Sequence, residues 1–436
     1  MLSVARHSTK ILGRANLTGS CYVRRTFIAS LPRKASRTNG LSIFRRIPVQ
    51  AGRFQSLLRQ TGTIALNYAS KATPNSKKIV GTWMLTCSGM VFIAVALGGI
   101  TRLTESGLSM VTWKLLGERM PLTEHDWIEE FEKYKEFPEF KITNKNITLE
   151  EFKRIWWMEY LHRTWGRLIG AAFIIPATFF WTKGWFDKKT KLRVTALGTL
   201  IGMQGLMGWY MVKSGLEDRF NGPSDVPRVS QYRLASHLGL AFIIYTGFLY
   251  NALDKLIPAQ KVAVDYFGTR KFDTNITKGL RKLRMMTHST KGLIFLTAIS
   301  GAFVAGMDAG LVYNSFPKMG DKWIPDDILA ISPTLRNFTE NPTTVQFDHR
   351  ILGITTLSMI TATWWISRKY TLPGRGAKAA MAVLCLGYLQ VLLGITTLLH
   401  YVPVPLAASH QSGSLALLSA ATWLCHELKY VKRLPK

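Results

Sequence analysis

No Asp or Glu occurs between Met1 and Thr104, although the 436-residue chain holds 26 of them. Over the same stretch Arg6, Lys10, Arg14, Arg24, Arg25, Arg33, Lys34, Arg37, Arg45, Arg46, Arg53, Arg59, Lys71, Lys77 and Lys78 supply fifteen positive charges before the first long apolar run, half of the formal net charge of +30. On a soluble protein that net charge points to nucleic acid. Its confinement to one end excludes that reading, because an acid-free, Arg- and Ser-rich N-terminus with scattered Leu, Ile and Phe has the composition of a mitochondrial transit peptide. Residues 1–75 are therefore set apart as a leader. Cysteine is scarce as well: Cys21, Cys87, Cys385 and Cys425 show no CxxC or other metal-type spacing, so no iron–sulfur set is encoded. The last three fall in or near apolar stretches, where a thiol acts as a small buried hydrophobe. A dinucleotide fingerprint is also missing, so electrons for any redox chemistry must come from outside.

What the chain has in quantity is apolar length. Eight stretches of about 18 to 23 residues, the span of a hydrocarbon core of about 30 Å, run near Ile79–Ile100, Thr164–Thr182, Val194–Val212, Leu234–Leu253, Gly292–Met307, Ile351–Ser367, Ala377–Leu399 and Ala407–Leu424. Backbone polar groups in lipid must be satisfied within their own segment, so these read as eight transmembrane helices of an all-α membrane protein. Lys and Arg gather after the second, fourth and sixth stretches and beyond the eighth, while the other connections are richer in acids or, between His400 and His410, uncharged. The positive-inside bias then places both termini in the matrix and the odd-numbered loops in the intermembrane space. The longest of those loops, 102–161, contains EHDWIEEFEKYKEFPEF, whose mixed charge and aromatics suit amphipathic elements lying over a site as a lid or docked at the surface.

The chain also repeats itself. EYLHRTWGRLIG from Glu159 matches QFDHRILGITTL from Gln346, MQGLMGW from Met203 matches LQVLLGI from Leu389, LASHLGL from Leu234 matches AASHQSG from Ala407, and GGITRLTESGL from Gly98 resembles GAFVAGMDAGL from Gly301. Two tandem four-helix bundles follow, 76–255 and 288–436, joined by a matrix linker at 256–287. The repeat selects His162, His237, His349 and His410 from nine histidines, each near the start of an even-numbered helix and all on one membrane face. Ionisable side chains at that depth are uncommon and usually functional. Within each half the two histidines stand at similar depth on parallel helices, where a porphyrin iron could take one imidazole on either side. Gly198, Gly202, Gly205 and Gly208 leave one side of the third helix open to a close neighbour. Arg163 and Arg350 adjoin two of the histidines and are expected to reach haem propionates.

The halves differ at Glu159, whose counterpart is Gln346. Three residues before His162 on a helix, Glu159 shares its face. A carboxylate can exchange protons and an amide cannot, so chemistry belongs to the first half and a permanently held haem to the second. These residues alone describe a two-haem membrane redox protein. A b-type cytochrome exchanging electrons with quinone and a haem carrier or assembly scaffold stay open beside an enzyme.

Through ITRLTESGLSM, EYLHRTWGR, the Gln and Gly residues of the third helix, the two ASH motifs, GMDAGLVYNSFPKMGD and FDHR, the chain resembles the haem A synthase family from about Ile79 to the last helix. The resemblance implies oxidation of the C8 methyl of substrate haem O to a formyl group, giving haem A for cytochrome c oxidase. It implies haem b on His349 and His410 beside Arg350, haem O facing His162, His237 and Arg163, and Glu159 as the catalytic carboxylate. It further implies a ferredoxin-type electron donor, contact with haem O synthase and oxidase assembly factors, membrane lipid around the chain, and homo-oligomers. Some bacterial members carry a cysteine pair in the first external loop, which this chain lacks.

Overall fold

The structure, a computed structural model, describes residues 73–217, 228–259, 274–370, 372 and 374–433. Residues 1–72 of the expected leader, with Cys21, and much of the expected linker lie outside the described residues. Eight long helices carry the described chain: α1 Pro74–Leu103, α2 Leu149–Thr182, α3 Lys188–Gly215, α4 Gln231–Leu256, α5 Thr274–Gly306, α6 Pro342–Lys369, α7 Gly374–Leu399 and α8 Val404–Glu427. No strand is present among the described residues.

Their ends follow local chemistry. Thr73 caps α1 by accepting from Ser76 N at 3.2 Å, with Pro74 just inside, where its missing N–H costs nothing. Thr148 and Glu151 form a capping box at the start of α2, Asp187 accepts from Thr190 N at 2.6 Å to open α3, and Asn341 caps α6 ahead of Pro342.

Two helices begin much earlier than hydropathy places them. α2 starts at Leu149 rather than Thr164, and α5 at Thr274 rather than Gly292, inside the stretch read as linker. Hydropathy marks where a helix becomes apolar, whereas its backbone continues through an amphipathic extension. As a result His162 lies well inside α2, whereas His237, His349 and His410 stay within about the first two turns of α4, α6 and α8. At 1.5 Å per residue the 34 residues of α2 reach about 50 Å, longer than a hydrocarbon core of about 30 Å.

Four helices, Pro74–Leu103, Gln231–Leu256, Asn275–Gly306 and Gly374–Leu399, are long and apolar enough to cross a membrane by length and composition. α2, α3, α6 and α8 are long too, but His, Arg, Gln, Ser and Thr dilute their apolar runs. Large apolar side chains are still exposed on them, Ile175 and Phe179 on α2 and Trp365 on α6 among them, while exposed Ile174 and Leu206 border the internal cavity. Cys87 and Cys425 are buried, as expected of small hydrophobes. Cys385 instead stands exposed on α7.

Around the first half, α1 packs on α2 and α4, and α3 on α2 and α4; around the second, α5 packs on α6 and α8, and α7 on α6 and α8. Helices α1, α4, α5 and α8 meet in the middle, with α2, α3, α6 and α7 outside them. Buried Trp83 of α1 stacks on Phe173 at 5.4 Å, and its Nε1 donates to Ala172 O at 2.9 Å, which satisfies the polar edge of a large apolar ring. Between α5 and α6 the hydroxyl pairs Thr290–Thr363 and Thr297–Thr356 lie 2.8 and 2.7 Å apart, in the way small polar side chains join helices in lipid. The first long loop folds on the extension of α2. Its helix Glu124–Lys135, opened by a Thr123/Asp126 capping box, sets Trp127, Phe131 and Tyr134 against Phe152 and Trp156, and a π-turn over Glu139–Thr143 follows.

Candidate functional site

Each of the four histidines leans on a glycine of the preceding long helix. A Cβ added at Gly98, Gly208, Gly301 or Gly394 would approach Cε1 of His162, His237, His349 or His410 to 3.0, 3.4, 3.1 and 2.8 Å. A side chain at Gly98, Gly301 or Gly394 would press on the ring, whereas at Gly208 it would only touch it, so the glycines give the imidazoles room against the neighbouring helix. Gly202 and Gly205 have nothing within 4 Å of an added Cβ and border open space. That space is a cavity of about 1430 Å³ lined by all four histidines, Glu159, Gln346, Arg163 and Arg350. It exceeds the roughly 300–1,000 Å³ of a pocket for one drug-sized ligand.

The rings of His349 and His410 stand 6.4 Å apart between centroids and perpendicular to each other. Imidazole nitrogens bond first-row metals at about 2 Å, as they do zinc, so two rings sharing one iron have centroids on the order of 6 Å apart. The outer nitrogens fit the same use. Ser300 Oγ lies 2.7 Å from His349 Nδ1 and gives its own proton to Thr297 O at 2.7 Å. Nδ1 must therefore be the donor in the first contact, which leaves Nε2 bare. Gln390 Nε2 donates to the carbonyl of His410 at 2.8 Å and lies 3.1 Å from its Nδ1, and the amide oxygen beside it is buried with no partner among the described residues. The carbonyl contact fixes the amide with its nitrogen toward the ring, so Gln390 holds the imidazole in place. Partners of this kind fix the ring orientation and tautomer of metal-bound histidine.

In the first half this support is thinner. Leu97 stands where Ser300 does, Gln204 reaches only the carbonyl of His237 at 3.1 Å, and His237 Nδ1 is buried with no partner among the described residues.

Glu159 is buried at 4% exposure, and its Oε1 accepts from Arg163 Nε at 2.5 Å, one turn along α2. The same guanidinium donates to Thr112 O at 2.7 Å and Met110 O at 2.9 Å. Arg350 likewise donates to Ser315 O at 2.9 Å, Tyr313 O at 2.9 Å and Gln346 Oε1 at 3.2 Å. Both arginines thus fasten an irregular loop to a helix and border the cavity; loop carbonyls near an apolar interior need donors, and a guanidinium supplies several at once. Gln346 also acts structurally. Its Nε2 donates to Ala309 O at 2.8 Å and Tyr313 O at 3.1 Å, which a carboxylate could not do.

Residues 81–422 match the family described as cytochrome oxidase assembly protein. The chain belongs to this family. It is 53% identical to the heme A synthase COX15 of Bos taurus over 411 residues, covering 93% of this chain and 95% of that protein. Against the heme A synthase of Nitrosospira multiformis it is 44% identical over 354 residues, 81% of this chain and 94% of the other. Against heme A synthase COX15 of Saccharomyces cerevisiae it is 40% identical over 386 residues, 83% and 78% of the two chains. The family match runs from within α1 into α8 and takes in every site residue named above.

The sequence reading passed over Ser300 and a polar junction between the halves. Arg102 Nη2 and Arg228 Nη1 reach the two carboxylate oxygens of Asp308 at 2.8 and 3.0 Å, beside the same cavity. Asp308 and its repeat counterpart Glu105 both adopt left-handed backbone, with φ of 53° and 51°. The alignment of GGITRLTESGL with GAFVAGMDAGL already paired those two residues, and that was the available signal.

Proposed function

We propose that this chain is a haem A synthase of the mitochondrial inner membrane, which oxidises the C8 methyl of haem O to a formyl group. All eight helices cross the bilayer as two tandem four-helix bundles. Both termini lie in the matrix, and the histidines lie toward the intermembrane space. His349 and His410 hold haem b, while His162 and His237 receive haem O. Bound haem supplies one-electron chemistry, with reducing equivalents from a ferredoxin-type donor. Glu159 is the carboxylate that exchanges protons beside the substrate, held in place by Arg163. Haem O synthase and oxidase assembly factors fit as supplier and consumer of the two haems.

The observation that carries this reading is the uneven support of the ring nitrogens. Ser300 sets the tautomer of His349 and Gln390 holds the His410 ring, while the other pair, beside Glu159 at the position Gln346 takes in the second half, is left free to accept and release a ligand. Purified protein given haem O and reductant in air should yield haem A by mass spectrometry. Intact haem O with haem b properly bound would make the chain a carrier or a cytochrome.

A further inference from the structure

The cavity next to Glu159 is bordered by a second buried carboxyl that belongs to neither helical repeat. Glu139 sits at the start of the π-turn after the loop helix, 6% exposed, where its carbonyl accepts from Asn144 N at 3.0 Å. Its Oε2 is buried and has no partner among the described residues. The Tyr134 hydroxyl, which receives Asn144 Nδ2 at 2.8 Å, lies beside the carboxyl. Glu139, Glu105, Glu159 and Thr143 all line the cavity. A buried carboxyl oxygen left without a partner is destabilising, so its presence beside the cavity calls for a use.

We propose that Glu139 is the proton donor of the first-half site and Glu159 its acceptor. The inference rests on Glu159 being the carboxylate of that site. Burial, against the Tyr134 contact and helped by Glu105 and Glu159, pushes the Glu139 carboxyl up to about 8. Glu139 thus keeps its proton at neutral pH. Glu159 instead accepts a hydrogen bond from the Arg163 guanidinium. A carboxyl that keeps its proton and a second one paired with a guanidinium divide the acid and base roles between them.

The division suits the last step of methyl oxidation, loss of water from the hydrated aldehyde: R–CH(OH)₂ gives R–CHO and H₂O. One hydroxyl surrenders its proton to the Glu159 carboxylate as the C=O bond forms. The other hydroxyl receives the Glu139 proton as its C–O bond breaks, and it leaves as water. No electrons are exchanged. A proton returning from Glu159 to Glu139 restores both groups.

The test compares Glu139→Gln, Glu139→Asp and Glu159→Gln with the wild type, all with haem b bound. In wild type, haem A formation should fall as pH rises through about 8, because the donor is protonated below that value and ionised above it. Glu139→Gln should lower the rate at pH 7 about 10- to 100-fold and abolish that alkaline limb. Glu139→Asp, which keeps a proton on a shorter arm, should recover much of the rate and retain a limb. An infrared carboxylic-acid carbonyl band present at pH 7 should titrate away near pH 8, vanish in Glu139→Gln and persist in Glu159→Gln. A wild-type rate and pH profile in Glu139→Gln, or an unchanged acid band in it, overturns the donor. Should Glu139→Gln fail to insert, a Glu139→Asp protein with no titrating acid band overturns it as well. An active Glu159→Gln protein removes the site reading itself, whereas an inactive one beside an unaffected Glu139→Gln removes only the donor.

Discussion

Ser300 of α5 receives a hydrogen bond from His349 Nδ1 on α6 at 2.7 Å, and this contact decides which nitrogen of the ring is available. Losing such a partner typically costs about 10- to 100-fold in metal affinity. Ser300→Ala should therefore weaken haem b retention by that factor, read by titrating stripped protein with haem. Affinity equal to wild type would leave Ser300 as a helix-packing residue only.

Removing the ligands should divide the halves. His349→Ala or His410→Ala is expected to abolish most low-spin b-type absorbance of purified protein, while His162→Ala or His237→Ala lowers haem A formation with that absorbance largely kept. Equal loss of bound haem from all four variants would favour an electron-transfer cytochrome.

At the Glu159/Gln346 pair the two exchanges should fail differently. Glu159→Gln keeps size and hydrogen bonding, so haem b binding stays and haem A formation falls about 10²- to 10⁴-fold, as when a positioned acid or base is lost. Gln346→Glu instead turns a carboxylate toward the carbonyls of Ala309 and Tyr313. Stripping donors from buried carbonyls costs about 1–3 kcal/mol, which thermal unfolding of the haem b chromophore should register. Near wild-type haem A output from Glu159→Gln would return Glu159 to a purely structural role with Arg163.

Orientation has its own check. A protease site placed between Pro258 and Thr274 should resist protease added to mitoplasts with an intact inner membrane. Cleavage from the intermembrane-space side would invert the topology and the face on which the histidines open.

The helices and the four histidines were legible in the sequence because each leaves a periodic or repeated trace. Apolar runs reveal helix centres, and duplication separates His162, His237, His349 and His410 from His288, His400 and His426. Helix starts were not legible, since LEEFKRIWW at the start of α2 and TNITKGLRKL at the start of α5 are polar enough to pass for loop. Ser300 leaves no trace at all. A serine in an apolar stretch gains meaning only from the register of α5 on α6, which the Thr290–Thr363 and Thr297–Thr356 pairs help to set. The loop contacts of Arg163 and Arg350 were hidden for a related reason: loop carbonyls are invisible to any reading of side chains.

The two capping boxes at Thr123 and Thr148 bear on how the chain comes to be threaded through its bilayer. In the proposed orientation the segment between α1 and α2 is synthesised on one side and must pass, unfolded and rich in charge, to the other. Its caps, each contributing about 1 kcal/mol, and the aromatic packing of Trp127, Phe131 and Tyr134 on Phe152 and Trp156 can close only after that passage. Once closed, they must be undone before the segment can slide back. In that orientation, folding of this loop would act as a pawl against its return.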